Sequence, residues 1–244
     1  MAMPTDSERP AIRSAPLPTL NALNDTYLEV SRRATKMRGL MLFLALFPLV
    51  FLLFLVFNFG DLSSQWELGL AATAEMLAIY PFMAAMAYHC IRIDTAIPRD
   101  EPVRFNRLRR TVYVYSFEHV WWNPFAKWQV TTKSYDWADL RAEVWRQRGA
   151  TGQGGLMISW GVSVAVVKPG TNQVIDRFPL SVYQDEGSSW DYVRAYMQYG
   201  VDAVPPVREF NEPNEVPSHN LALRLAPKVE WPAAMDVESR TGPA

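Results

Sequence analysis

Gly39-Leu-Met-Leu-Phe-Leu-Ala-Leu-Phe-Pro-Leu-Val-Phe-Leu-Leu-Phe-Leu-Val-Phe57 decides how this chain is read, because it carries no charge and has no polar face for water. A helix rises about 1.5 Å per residue, so a run of this length matches the roughly 30 Å hydrocarbon core of a bilayer. A second apolar stretch runs from Leu68 to Cys90 and holds one charge, Glu75. The link from Asn58 to Glu67 contains Asp61 and Glu67 but no Lys or Arg. So short a link predicts an antiparallel hairpin of two transmembrane helices, over 39–59 and 68–91, with a periplasmic loop at 60–67.

The cations set the expected orientation. Arg32, Arg33, Lys36 and Arg38 precede the first stretch, and Arg92, Arg99, Arg104, Arg107, Arg109 and Arg110 follow the second. The positive-inside rule then predicts a multi-pass protein of a bacterial inner membrane with both termini cytoplasmic. The first stretch starts too late and runs too long for a cleaved signal peptide, and no small-residue cleavage site follows it. The competing reading is a buried hairpin of a soluble helical protein.

The rest of the chain divides by composition. Residues 1–20 hold Pro4, Pro10, Pro16 and Pro18 among polar residues and read as a disordered arm. Residues 21–38 read as an amphipathic or juxtamembrane helix, capped by Asn24 or Asp25, with Tyr27, Leu28, Val30 and Ala34 on one face. Residues 201–244 carry seven prolines and read as an extended tail, free or lying on the domain, that frays after about Met235.

Between them, residues 101–200 read as a cytoplasmic β domain. Val103–Asn106 and Thr111–Phe117 alternate apolar and polar residues around Arg107–Arg110, which is a hairpin signal. Trp128–Thr132, a helical turn at Asp136 running into a strand through Trp145, and the β-branched run Leu156–Val167 follow. Pro169-Gly-Thr-Asn172 reads as a turn and Val174–Leu180 as its returning strand. Ser188-Ser-Trp-Asp191 opens a helix in capping-box style, and Gly200 closes it. The fold class is therefore α+β: a transmembrane helical hairpin plus a small antiparallel barrel or sandwich closed by one C-terminal helix. This pattern resembles the pleckstrin-homology-like superfold.

The search for chemistry is negative. His89, His119 and His219 lie in three different parts of the chain without metal-ligand spacing. Gly152-Gln-Gly-Gly155 lacks the Lys and Ser/Thr of a phosphate loop. Asp136, Asp139 and Glu143 read as a helix start and a solvated face. The single cysteine, Cys90, allows no disulfide or cysteine-based metal site within one chain, and a net charge of −1 argues against a general nucleic-acid binder. No enzyme, cofactor or nucleic-acid partner is expected.

Two groups are candidate partner-binding or oligomerisation residues. Glu75, with Ala74 and Ala78 on a small-residue side of the second helix, either snorkels or is protonated near the outer interface, or faces another copy or another membrane protein, or serves proton relay in an oligomer. Trp121-Trp-Asn-Pro-Phe125 with Trp128 is the densest aromatic group. Its rings either fill the barrel or form an exposed loop that docks on a protein partner or on the bilayer surface. Arg146–Gly149 and Arg107–Arg110 read as solvated turns or as a basic rim facing anionic lipid.

Several strings together resemble a family of uncharacterised proteobacterial two-helix membrane proteins: Pro102-Val-Arg-Phe-Asn-Arg107, Trp121-Trp-Asn-Pro-Phe125, Tyr135-Asp-Trp137, Trp145-Arg-Gln-Arg-Gly149, and Pro169-Gly-Thr-Asn172 with Asp176-Arg-Phe-Pro-Leu180. The resemblance covers roughly residues 20 to 206. Members of that family are often encoded beside type VI secretion effectors of the Rhs or PAAR kind. The resemblance therefore implies an immunity or effector-accessory protein that binds a toxin or secretion component, and it identifies no functional residues. The alternative is a structural adaptor or self-associating subunit of a membrane complex.

Overall fold

The computed structural model describes residues 17, 19–32, 38–59, 69–123, 125–150, 156–181, 185, 187–207 and 209–243. It is an α+β protein built on antiparallel sheets. The first sheet has five strands: β1 (Leu20–Leu23), β2 (Tyr27–Val30), β3 (Val103–Asn106), β4 (Thr111–Glu118) and β5 (Gln129–Asp136). They lie side by side in that order. The second sheet has three strands: β6 (Leu140–Ala150), β7 (Leu156–Val167) and β8 (Val174–Pro179). The two sheets are separate, so of the expected barrel or sandwich the closed barrel is not found.

Residues 20–30 correct the expected juxtamembrane helix. Asn24 does not cap a helix. Its side chain instead accepts from the backbone N–H of Thr26 and Tyr27, both at 2.9 Å, and closes a tight turn between β1 and β2. Leu28 and Val30 are fully buried in the sheet, and Leu17 and Leu20 join the same core, so order begins before the end of the expected arm. A four-residue strand with a polar turn offers little period to read, and its burial is set by a partner far along the chain.

That partner is β3. Val30 pairs with Val103 and Leu28 with Phe105 in antiparallel register. The described apolar helices lie between these two neighbouring strands. They are α1 (Leu40–Leu44), α2 (Leu46–Phe59) and α3 (Gly69–Ala96). The break at Ala45 has a direct cause: Pro48 has no N–H, and its ring crowds the carbonyl of Leu44 four residues back. Pro81, by contrast, lies inside an uninterrupted α3. α3 packs against both α1 and α2. Among the described residues one helical run, Leu40–Phe57, is long and apolar enough to cross a membrane, with a mean hydropathy of 3.0 and only 17% of it buried. The expectation of two such spans is thus met by composition in one helix only. The expected loop at 60–67 lies outside the described residues.

The two sheets and α4 (Ser188–Tyr199) enclose one core. Trp137, in a 3₁₀ turn between the sheets, stacks on Trp190 of α4 with ring centroids 5.1 Å apart and meets Phe105 edge-on at 6.3 Å. Val112, Val162, Val164, Val193 and Tyr196 are fully buried around them. The start of α4 differs from the capping-box expectation. Gly187 is the N-cap, in a left-handed conformation, and has no side chain to cap with. Asp185 does that work: its carboxylate accepts from the backbone N–H of Gly187 (2.9 Å) and Ser188 (2.8 Å), and from the Ser188 and Ser189 hydroxyls.

Residues 201–243 are not an extended, fraying tail. They contain two short helices, α5 (Leu221–Leu225) and α6 (Ala233–Arg240), with Pro232 at the start of α6. Arginine and asparagine side chains staple this segment down. Arg99 donates to the carbonyls of Leu223 and Asn214, each at 3.0 Å. Asn106 donates to those of Ser239 (3.1 Å) and Thr241 (2.9 Å). Arg109 reaches Gly242 at 2.7 Å, and Arg110 donates to the Met197 carbonyl in the last turn of α4 at 3.0 Å. At least two arginines of the expected basic rim are therefore used internally, against backbone carbonyls that would otherwise lack donors.

Candidate functional site

The apolar helices and the β domain meet at a junction built from charged side chains. Gly39 precedes α1 with a φ of 100° and offers no side-chain cap. Asp94, near the end of α3, supplies one: its Oδ2 accepts from the backbone N–H of Gly39 at 3.0 Å and of Leu42 at 2.8 Å. Arg38 donates to the carbonyls of Ile97 and Pro98 just beyond α3, at 2.7 and 3.1 Å.

Arg32, one of the cations that precede the apolar run, is buried in the domain. Its guanidinium donates to the carbonyls of Glu101 (2.6 Å), Tyr115 (2.6 Å) and Pro179 (3.2 Å), joining β4 and β8 of the two sheets. Its backbone N–H donates to Asp100 Oδ1 at 3.0 Å. Burial pushes the Asp100 carboxyl above its ordinary range, and its hydrogen bonds with Asn21, Ser31 and the backbone pull the other way.

The aromatic group lies beside this junction. The loop from His119 to Trp128 joins β4 to β5 and rests on α3. Phe125 stacks on Tyr88 with centroids 5.9 Å apart, and Trp128 meets His89 edge-on at 6.4 Å. The Arg92 guanidinium lies 4.3 Å from the Trp128 ring centroid and donates to the Ala126 carbonyl at 3.0 Å. His119 lies on another side of Trp128, 5.4 Å away, so the fold gathers two histidines that are distant in sequence.

Of the two readings of these rings, the structure selects the exposed loop for three of them. Trp121, Trp122 and Phe125 are 72%, 68% and 75% exposed. Only Trp128 is half-buried, wedged between the sheet and α3.

The other candidates stand apart. Ala78 is exposed on α3, ten residues before Tyr88 and so about 15 Å farther along the helix. The side chains of Ala74 and Glu75 lie outside the described residues. Sequence reasoning missed Tyr88, His89 and Arg92 as the seat of the loop. Their one signal was the spacing of Tyr88 and Arg92, which puts a ring and a cation on one helix face.

A second concave surface, a cleft of about 610 Å³, lies between the β1–β2 hairpin and the C-terminal segment. Arg104 crosses it, paired with Glu29 and, at 2.6 Å, with Asp236. Its guanidinium also lies 4.5 Å from the Trp231 ring centroid. Burial pushes the Asp236 carboxyl up, but the hydrogen bond and charge of Arg104 outweigh this and hold it below the usual carboxylate range. The cleft is closed by its own ion pairs and acts as a staple. Among the described residues no group of three or more His, Cys, Asp or Glu is placed to hold a metal ion.

A family of unknown function, DUF6708, matches residues 80–243, which run from the middle of α3 through β3–β8 to the stapled C-terminal segment and leave out β1 and β2. No curated protein and no solved structure matches the chain.

Proposed function

This chain belongs to DUF6708, a family of unknown function, and from that premise we propose that it is a membrane-anchored binding protein. It works by protein–protein contact rather than catalysis. The observation that carries the reading is the pairing of β2 with β3 around the apolar helices. Strands that share hydrogen bonds lie on the same side of a bilayer. If Leu40–Phe57 crosses the membrane, the chain must cross back before Val103, and α3 is the described helix available to do so. The charged positions in α3 are tolerable in that role where they face protein or the interfaces.

Both flanks of the helix pair then lie with the cations, on the cytoplasmic face of a bacterial inner membrane. Asp94 and Arg38 tie the start of α1 to the end of α3, and Arg92 holds the β4–β5 loop of the β domain against α3. A partner caught by the domain is thereby held at the membrane. The role of immunity or accessory protein to a type VI secretion toxin comes from the sequence resemblance. It fits a domain presented on the cytoplasmic face.

The test is co-purification from native membranes with the tag at the N-terminus, because Thr241 and Gly242 are bonded to Arg109. Stoichiometric recovery of one toxin-like protein supports the immunity role. A second reading is a self-associating adaptor, and the exposure of Ala78 on α3 is what favours it. It predicts recovery of this chain alone as a defined oligomer whose size changes with Glu75→Leu or Ala78→Leu. A monomer recovered without partner sinks both readings.

A further inference from the structure

We propose that the loop from His119 to Trp128 is a bilayer-interface anchor, with Trp121, Trp122 and Phe125 seated at the boundary between headgroups and acyl chains. This deepens the membrane reading above and rests on it.

The argument is one of level. Asp94 bonds Gly39 and Leu42, so this point of α3 is level with the start of the apolar run. Tyr88 comes six residues earlier in α3, about 9 Å along the helix axis. The same displacement along the neighbouring helices falls near Leu46–Pro48, inside the first third of the apolar run. Phe125 stacks on Tyr88, so its ring lies beside that level, within the first third of the span.

An 18-residue run is about 27 Å long and must use nearly all its length to cross a core of about 30 Å. Leu40 therefore lies at the hydrocarbon edge. Phe125 falls inside that edge, and Trp121 and Trp122 lie on the same short loop, next to the zone where the amphipathic rings of Trp and Tyr collect in membrane proteins.

The chemistry around the rings agrees. Lys127 is exposed on the same loop, and Arg92 lies beneath it, so cations flank the rings where anionic headgroups would lie. Glu118, at the end of β4, lies 3.8 Å from Lys133, which screens the nearest carboxylate. Rings of this size would each carry on the order of 150–250 Å² out of water. Held in water, three such rings form an apolar patch of the kind that marks a contact surface. The lipid boundary is continuous with the exposed face of α2 and needs no further partner.

The experiment uses the full chain reconstituted in vesicles of phosphatidylethanolamine and phosphatidylglycerol, with lipids brominated either near the headgroup or near the chain end. The fluorescence difference between wild type and the Trp121→Phe/Trp122→Phe variant isolates the two rings. A Phe47→Trp variant reports independently on α2. The expected result is strong quenching of the Trp121/Trp122 signal by shallow bromines and weaker quenching by deep ones, with Phe47→Trp also quenched.

If Phe47→Trp is quenched and the Trp121/Trp122 signal is not, the membrane reading stands and the anchor is overturned. Acrylamide then separates a loop in water from one covered by a protein chain. If Phe47→Trp itself escapes every brominated lipid, the membrane reading fails and takes the anchor with it.

Discussion

Val30 and Val103 face each other as register partners in one antiparallel sheet, both fully buried, although the whole of the apolar helical segment lies between them in the chain. The β domain is therefore discontinuous in sequence: it opens before the helices and resumes after them. A fragment that begins after α3 lacks β1 and β2 and leaves the edge of β3 bare, with Val103 and Phe105 unburied.

We expect residues 101–243 alone to aggregate or to unfold without a cooperative transition. Residues 97–243 fused behind 17–32, with a short Gly/Ser linker replacing 33–96, should be soluble and unfold cooperatively. Circular dichroism melts of the two proteins check this, and a stable 101–243 fragment would contradict the pairing.

Asp94 caps α1 in place of the left-handed Gly39, so Asp94→Ala leaves the backbone N–H groups of Gly39 and Leu42 without this acceptor. A lost cap of this kind costs about 1–2 kcal/mol. Thermal unfolding in detergent micelles should show the loss, and Asp94→Asn, which keeps an acceptor, should recover part of it.

Asp185 gives a pH dependence. Burial pushes its carboxyl up, but hydrogen bonds from Ser189, Ser188 and the Gly187 backbone outweigh this and hold it below its ordinary range. Its ionised form is favoured by folding, so its contribution is complete above the unfolded value of about 3.9 and is lost as pH falls through the lower folded value. Asp100 acts with the opposite sign, because burial raises it. The clean readout is therefore the stability gap between wild type and Asp185→Asn in denaturant unfolding. That gap should be widest near neutral pH and close below pH of about 4. A gap that does not change with pH would remove the carboxylate from this role.

Arg104 is almost fully buried, between Glu29 and the C-terminal segment. Arg104→Ala strands the Glu29 carboxylate in the sheet and frees Asp236, and breaking a buried pair this way costs about 3–5 kcal/mol. Limited proteolysis should then cut first within residues 232–243, where the intact protein is protected. Unchanged protection would mean that Asn106 and Arg109 hold the segment without it.

Arg92 should govern how firmly the aromatic loop sits. Its position over Trp128 is worth about 1–2 kcal/mol when shielded from water. Arg92→Leu should raise hydrogen exchange in residues 119–128 and leave the sheet core unchanged, as read by mass spectrometry.

Much of this architecture was legible in short-range pattern. Thr111–Glu118, Leu156–Val167, the turn at Asp136 and the helix ended by Gly200 lie where alternation, β-branching and the stop residue place them. These features are decided by neighbours a few residues away. The aromatic cluster was visible as composition, but not its exposure. That depends on whether the loop closes over the core or rests on α3, and Tyr88 and Arg92 settle it from outside the domain.

What the sequence by itself determined is the local alphabet: an uncharged apolar run long enough to cross a membrane, β-branched strands, and one amphipathic helix. Only the tertiary structure decided that Tyr27–Val30 is a strand, that the proline-rich end is stapled by Arg99, Arg104 and Asn106, and that the two sheets stay separate. The first two depend on partners 70 or more residues away. Periodicity reports which face of a segment is apolar. It carries no information about which distant strand or carbonyl will meet that face, because that is set by closing the chain around a shared core.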